Sequence, residues 1–189
     1  MHESNTVDRR AMGLCKVILH CTIAALMAGC DSRRDNEIYL IPAGHVGPVL
    51  IVYNDSSGVP EEYENGWRVY RIGVNGVLRS RFRLTYGTSK EKFFYIEPGG
   101  HREELHTIWR PTEKGDEETI YVYDEIVGTH AVVAPKNGHM VLGPDASPKE
   151  GAINFEKFIV GRVRDAESLN RIADRLADSV AWSYREFVR

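Results

Sequence analysis

The five residues Val49-Leu-Ile-Val-Tyr53 form the longest unbroken run of large apolar side chains after Cys30 in this 189-residue chain. Pro48 precedes the run, and the polar loop Asn54-Asp-Ser-Ser-Gly58 follows it. A run this short between turn residues is typical of a strand rather than a helix. Because no polar residue interrupts it, the run predicts a strand that is buried on both faces.

Similar short runs recur along the chain and end in an amphipathic segment. Apolar residues repeat every three or four positions from Leu169 to Phe187, which predicts one helix over about 165–188. The chain therefore predicts a mainly β fold, a β-sandwich of the prealbumin or immunoglobulin type with one C-terminal amphipathic helix. The predicted strands cover residues 37–41, 49–53, 67–73, 77–86, 92–97, 102–109, 119–127, 131–134, 139–142 and 153–160.

Asn75-Gly76 lies between two β-rich runs, and this dipeptide favours a two-residue hairpin turn. Closing the hairpin there places Arg68 opposite Arg83 and Tyr70 opposite Arg81 on one face. The other face, which includes Val69 and Phe82, is more apolar and is predicted to pack inward. The first face is either a solvated surface or a docking surface for anionic lipid head groups or an acidic protein partner. This candidate binding face consists of Arg68, Tyr70, Arg79, Arg81 and Arg83.

The N-terminal segment resembles the signal peptide of bacterial lipoproteins. Basic residues precede an apolar run over 17–29, and the run ends in Leu26-Met27-Ala28-Gly29-Cys30. That ending resembles a lipobox, although Met27 stands where leucine is usual. The resemblance implies cleavage before Cys30 and attachment of lipid to its sulfur.

The signal divides the chain into three parts. Residues 1–29 are the predicted lipoprotein signal peptide, 30–37 the lipidated cysteine with a short polar tether, and 38–189 a single β-rich domain. This arrangement predicts a lipid-anchored protein at the cell membrane, facing the periplasm or the extracellular side. Asp31 resembles an inner-membrane retention signal of bacteria with two membranes.

No sequence motif of nucleotide, metal or hydrolase chemistry occurs in the chain. Asp124 and Glu125 are adjacent on a predicted strand, where neighbours face opposite sides, so they cannot flank one glycosidic bond. A zinc site that joins these two to His130 and His139 is a minor alternative. We therefore predict no enzyme activity, no cofactor and no metal. The formal net charge of −3 does not indicate nucleic-acid binding.

Several further segments resemble an uncharacterised lipoprotein domain found across bacteria. They are the opening Tyr39-Leu-Ile-Pro42 with Gly44, the strand over 49–53, the segment 67–72 and the late Phe158-Ile-Val-Gly161. The resemblance covers residues 37–161 and implies a small β-rich domain. The family has no assigned activity, so no functional residue is carried over from it.

The first expectation for function is a non-catalytic binding or structural module held at the envelope. An immunity or inhibitor lipoprotein against an envelope toxin is an alternative of the same class. A hydrolase acting on envelope material is an alternative of a different class. A deep pocket with converging carboxylates of shifted pKa would favour the hydrolase, and a flat surface would favour binding.

Overall fold

A computed structural model describes residues 34–111, 116–131 and 152–185. The second predicted hairpin, which pairs 131–134 with 139–142, lies almost entirely outside these residues, as do the predicted signal peptide and Cys30. Within the described residues, no helix is both long enough and apolar enough to cross a membrane. From Arg34 onward the described residues belong to one compact unit.

The first sheet is built around an opening strand that has parallel neighbours on both sides. β1 (Glu37–Pro42) pairs in parallel with β4 (Trp67–Arg71) and with β6 (Glu91–Ile96). The short strands β3 (Tyr63–Glu64) and β7 (Arg102–Glu104) add antiparallel edges. The order across the sheet is β3-β4-β1-β6-β7.

The second sheet contains the apolar run identified from the sequence. β2 (Gly47–Tyr53) and β9 (Tyr121–Ala131) flank β10 (Ala152–Gly161), and both pairings are antiparallel. The parallel edge strands are β5 (Val77–Arg79) beside β2 and β8 (His106–Thr107) beside β9. Every residue of β2 is buried, as the uninterrupted apolar run predicts.

The two sheets enclose the main core between them. Alternate residues of each strand point inward, so Tyr39 and Ile41 of β1 meet Ile51 and Tyr53 of β2, with Phe158 of β10 between them. The rings of Tyr39 and Phe93 stack with their centroids 4.5 Å apart, and Phe158 meets Tyr39 edge-on at 5.4 Å. Burial of these aromatic side chains, together with the aliphatic ones beside them, stabilises the sandwich.

A single long helix covers the outer face of the second sheet. α1 (Ala166–Arg185) follows a short 3₁₀ turn and packs Leu169 against Tyr123 and Ile159. At its other end, Tyr184 donates a hydrogen bond of 2.5 Å to Asp55, which lies just after β2. Buried residues near both ends thus fix the helix to the sheet.

The predicted architecture, a mainly β sandwich with one C-terminal amphipathic helix, is confirmed. The helix covers residues 166–185, within the predicted 165–188. The strand directions nevertheless differ from those of immunoglobulin-type sandwiches, whose sheets are antiparallel. In this protein β1 lies between two parallel strands, so the connections between these neighbours must cross over.

The predicted hairpin at Asn75-Gly76 is wrong. A turn does form there, with Gly76 at a φ of 76°, but β4 and β5 enter different sheets. A side chain at Gly76 would lie 2.4 Å from the Pro48 carbonyl oxygen, so the turn packs closely on the start of β2. The dipeptide therefore predicts the turn correctly but predicts the pairing of the flanking strands incorrectly.

Candidate functional site

The chain is fixed to the sandwich three residues before β1 begins. The backbone N–H of Arg34 donates a hydrogen bond of 3.3 Å to the Thr88 carbonyl oxygen. Asn36 Oδ1 accepts a hydrogen bond of 3.1 Å from the Lys90 N–H. The polar segment 30–37 was predicted to be a tether, but from Arg34 onward it is held by the first sheet.

The sandwich interior contains ionisable side chains at one end, where apolar residues are expected. Glu37 of β1 and Glu156 of β10 occupy inward positions and are 1% and 0% exposed. A buried carboxylate is costly unless it is paired and hydrogen-bonded. The partners complete a group that we call the buried polar cluster, namely Arg34, Glu37, Tyr39, Tyr53, Tyr70 and Glu156.

Tyrosine hydroxyls supply most hydrogen bonds to the two buried carboxyl groups. Tyr39 and Tyr70 each donate to Glu37 at 2.8 Å, and Tyr53 donates to Glu156 Oε2 at 2.7 Å. Burial raises the pKa of each of these tyrosines, so their hydroxyls stay neutral and act as donors. The tyrosine rings belong to the apolar core, which places the hydroxyls next to the carboxyl groups.

Arg34 provides the positive charge of the buried polar cluster. Its guanidinium makes an ion pair with Glu37, and Arg34 Nη2 lies 3.4 Å from oxygens of both Glu156 and Glu91. Only 7% of its side chain is exposed. Burial lowers the pKa of Arg34, but the hydrogen bond to Glu37 and the electrostatic contributions of Tyr39, Glu37 and Glu156 together outweigh this effect, so Arg34 remains charged.

Glu156 holds a proton at far higher pH than an exposed glutamate. Burial raises its pKa first and the charge of Glu37 adds to the effect, whereas Arg34 and the tyrosine hydrogen bonds act in the opposite direction. The net result is a pKa of about 7. Among the described residues, Glu156 Oε1 has no hydrogen-bond partner.

The raised pKa of Glu156 predicts that the domain becomes less stable as pH rises through the weakly acidic range. Unfolding returns its pKa to about 4.5, so between pH 4.5 and 7 the folded state binds more protons. The stabilisation from Glu156 is complete below pH 4.5 and lost as pH rises through 7, a change of about 3 kcal/mol. Urea unfolding at a series of pH values measures it.

The variant Glu156→Gln supplies the matched comparison for this pH dependence. Glutamine has a similar shape and cannot titrate, so the free energy of unfolding should change less with pH in the variant. The Asp55 carboxylate has a pKa of about 2, because its hydrogen bonds from Tyr184 and Arg79 outweigh the effect of burial. It titrates below this window. Equal pH slopes in the variant and the natural protein would contradict the assignment.

A pocket of about 1040 Å³ opens beside the buried polar cluster. Arg34 belongs to both, because its side chain lines the pocket and contacts Glu37 and Glu156. The second sheet, the first sheet and α1 all contribute to the walls. The lining residues are Arg34, Gly87, Thr88, Ser89, Glu91, Phe93, Thr107, Ile108, Trp109, Arg110, Val122, Tyr123, Asp124, Glu125, Ile126 and Asn170.

A β-bulge brings two adjacent acidic residues to this pocket. The pairing of β9 with β10 shifts by one residue, so Asp124 and Glu125 together oppose Phe158. Asp124 has a positive φ of 54°, and the Asn170 amide of α1 donates a hydrogen bond of 2.8 Å to its carboxylate. Both residues line the pocket, but Asp124 contacts α1 whereas Glu125 lies beside Glu91 of the first sheet, which agrees with the prediction that the two side chains face opposite sides.

Glu91 and Glu125 form a pair of carboxyl groups at the pocket. The two side chains lie close enough to interact, and both line the pocket. Desolvation, followed by the charges of Glu156 and Glu91, raises the pKa of Glu125. Glu125 is nevertheless an exposed residue, so contact with water limits the desolvation part of this shift. Ser89 Oγ donates a hydrogen bond of 3.0 Å to Glu91.

The described side chains contain no group of three histidine, cysteine, aspartate or glutamate residues arranged to hold a metal ion. The alternative zinc site needs the side chains of His130 and His139, which lie outside the part of the structure that is described. Asp124 and Glu125, its other two members, take part instead in the pocket.

The candidate binding face, Arg68, Tyr70, Arg79, Arg81 and Arg83, does not exist as one exposed surface. Tyr70 is fully buried in the polar cluster, and Arg68 is only 7% exposed. Arg68 donates to Asp35 and to the Arg83 carbonyl oxygen, both at 2.9 Å. The face was derived from the hairpin pairing, and it disappears because that hairpin does not form.

Arg79 and Arg81, two other members of that predicted face, make local contacts instead. Arg79 Nε donates a hydrogen bond of 2.6 Å to Asp55, and its guanidinium lies 4.7 Å from the centre of the Tyr184 ring. Arg81 Nε donates to the Gly58 carbonyl oxygen at 2.9 Å. These contacts fasten the loop after β2 and the end of α1.

The fold and the site define a class of protein, a β-sandwich domain with a covering helix and an acidic pocket at one end. The chain belongs to a family of unknown function (DUF6843), whose profile matches residues 33–140. The prediction of an uncharacterised domain family is thereby confirmed. The matched region contains β1 to β9, including four of the five carboxyl groups at the site.

One solved structure with similarity to this chain is described as "Putative Lipoprotein from Bacillus anthracis". The identity is 18% and the TM-score 0.45, over 67% of this chain and 70% of the other. A comparison with curated proteins found no match.

Proposed function

We propose that this protein is a lipoprotein held at the cell membrane through lipid on Cys30, and that its domain is a non-catalytic module that binds a small ligand. The pocket beside the buried polar cluster is the feature that carries the second part of the proposal. It is concave, has both apolar and charged walls, and is of the size typical of ligand sites. The lipobox at Leu26-Cys30 carries the first part.

The pocket and the anchor are close together along the chain. Arg34 lines the pocket and lies only four positions after Cys30. Four extended residues reach at most about 14 Å. A lipid on Cys30 therefore holds the pocket near the head groups of the bilayer rather than on a long stalk.

Replacing Cys30 with serine is expected to release the protein from the membrane. Two or more acyl chains, at about 0.8 kcal/mol per buried CH₂, give an attachment that is stable to washing, and serine provides no sulfur for the lipid. Membrane fractionation measures the release, and intact-mass analysis of the natural protein should show a lipidated Cys30 at the N-terminus.

Cys21→Ser provides the matched control, because Cys21 lies within the predicted signal peptide and leaves with it. This variant should remain anchored. An unmodified N-terminus upstream of Cys30 in the natural protein would overturn the proposal of a lipid anchor. If the cell has two membranes, the Asp31 signal places the natural protein at the inner one, which density fractionation checks.

A hydrolase is the second candidate, because Glu91 and Glu125 converge in one pocket and the pKa of Glu125 is raised, and a pocket with converging carboxylates of shifted pKa favours a hydrolase. The purified protein would be incubated with isolated cell-wall polymer and the soluble fragments measured. Fragment release that Glu125→Gln abolishes would replace the binding module with an enzyme. No release from the natural protein supports the non-catalytic assignment.

A further inference from the structure

We propose that the pocket binds an organic cation, a protonated amine or quaternary ammonium group that carries an apolar substituent. The inference rests on the proposed binding function and names the chemical class of its ligand. Such a cation can come from a lipid head group or from a free small molecule, and the experiment below separates these two sources.

The charge balance of the pocket favours a cation. Three carboxyl groups line it, from Glu91, Asp124 and Glu125, and the buried Glu37 and Glu156 lie directly beside the lining residue Arg34. Two guanidinium groups, those of Arg34 and Arg110, oppose these five carboxyl groups. The raised pKa values leave Glu125 protonated and Glu156 partly protonated near pH 7, and the remaining carboxylates still outnumber the two guanidinium groups. The guanidinium of Arg34 is already engaged by three of the carboxyl groups, which leaves little positive charge to attract an anion.

The walls of the pocket suit the apolar part of such a ligand. Phe93, Trp109 and Tyr123 line it together with aliphatic side chains. Trp109 is 79% exposed. Aromatic rings attract ammonium groups through their negative faces, and the attraction is strongest for tryptophan. Carboxylates beside an aromatic surface are therefore a recognition site for an ammonium ion with an apolar substituent.

A buried carboxyl oxygen that lacks a partner in the described part of the chain lies behind Arg34, next to the pocket and not among its lining residues. Glu156 is fully buried, and among the described residues its Oε1 accepts no hydrogen bond. An unsatisfied buried acceptor costs roughly as much as a lost hydrogen bond, so sites of this kind are commonly completed by a ligand or water. Glu156 also raises the pKa of Glu125 through its negative charge, and a bound cation would relieve that repulsion.

The test measures binding of benzyltrimethylammonium by titration calorimetry to the full lipidated protein in phosphatidylglycerol nanodiscs. Phenylacetate, an anion of similar size, is the comparison ligand. We expect saturable binding of the cation alone, weakened at least tenfold in Glu91→Gln, because a lost charged partner typically costs a factor of about 10–100. Glu103→Gln is the matched control, since Glu103 is an exposed carboxylate of β7 that does not line the pocket.

The outcomes separate this inference from the proposed function. Binding of phenylacetate in place of the cation would overturn the ligand class and leave a binding module. Equal loss of affinity in Glu91→Gln and Glu103→Gln, or no binding of either probe, would overturn the cation site. Repeating the titration in discs that contain phosphatidylethanolamine identifies the source. Competition by this amine lipid assigns the ligand to a head group, and unchanged affinity assigns it to a free cation.

Discussion

Replacing Arg34 with alanine is expected to lower the free energy of unfolding by about 3–5 kcal/mol, because it leaves buried carboxyl groups without their positive partner. Glu37 and Glu156 are at most 1% exposed, and Arg34 contacts both of them. The folded variant must either retain two uncompensated negative charges in its core or take up a proton. Urea unfolding of a chain expressed without residues 1–30 measures the loss.

The pH dependence of this loss distinguishes an electrostatic role of Arg34 from simple packing. At pH 5 the Glu156 carboxyl is already protonated in the folded state, so Arg34→Ala should cost less there than at pH 8. Arg71→Ala is the matched control. Arg71 pairs with Glu62 on the surface, both about half exposed, and its removal should cost less than about 1 kcal/mol. Equal effects of the two substitutions would refute the importance of the buried polar cluster.

Leu169→Asp is expected to destabilise the domain by several kcal/mol, since it places a charge between α1 and the second sheet. Leu169 is 8% exposed and packs against Tyr123 and Ile159. A side chain added at Gly161 would lie 2.5 Å from Leu169 Cδ1, which shows how closely the helix approaches β10. Thermal unfolding followed by circular dichroism measures the effect.

The same substitution at two other positions on the helix provides comparisons for this prediction. Ile172 is 41% exposed, so Ile172→Asp should change the melting temperature little. Leu176 is half-buried, and Leu176→Asp should give an intermediate loss. If Leu169→Asp left the melting temperature unchanged but abolished binding to liposomes, α1 would be a membrane-binding element rather than a cover for the sheet.

The positions of the strands and the helix could be predicted from the sequence more accurately than the pairing of the strands. Continuous or alternating apolar runs locate β1, β2, β10 and the helix to within one or two residues at most ends, because burial determines those patterns. Pairing depends on contacts between distant segments. The segment 102–109, predicted as one strand, forms two short strands in different sheets, and Asn75-Gly76 turns the chain from one sheet to the other.

The candidate site could not be predicted because each of its charged residues appeared to belong to another kind of structure. Arg34 lies in a polar segment that suggests a tether, and Glu37 begins a strand where an exposed residue is common. Glu156 carried a signal, since it alternates with Phe158 and Val160 on the inward face of β10. A charged residue at such a position requires buried partners, but the sequence does not show where they come from.

The bulge in β9 adds one residue that the sandwich does not need and that contributes a carboxyl group to the pocket. Val122 and Val127 both reach the core although they are five positions apart, which regular alternation would forbid. The bulge therefore adds one residue to β9. A strand without that residue would alternate regularly, and all its remaining side chains would stay on their present faces. The sandwich thus needs only one of the two residues Asp124 and Glu125. A homologue that lacks one of these two residues should therefore keep the architecture and lose a pocket carboxylate, and under the proposed cation site its affinity for an ammonium ligand should be lower.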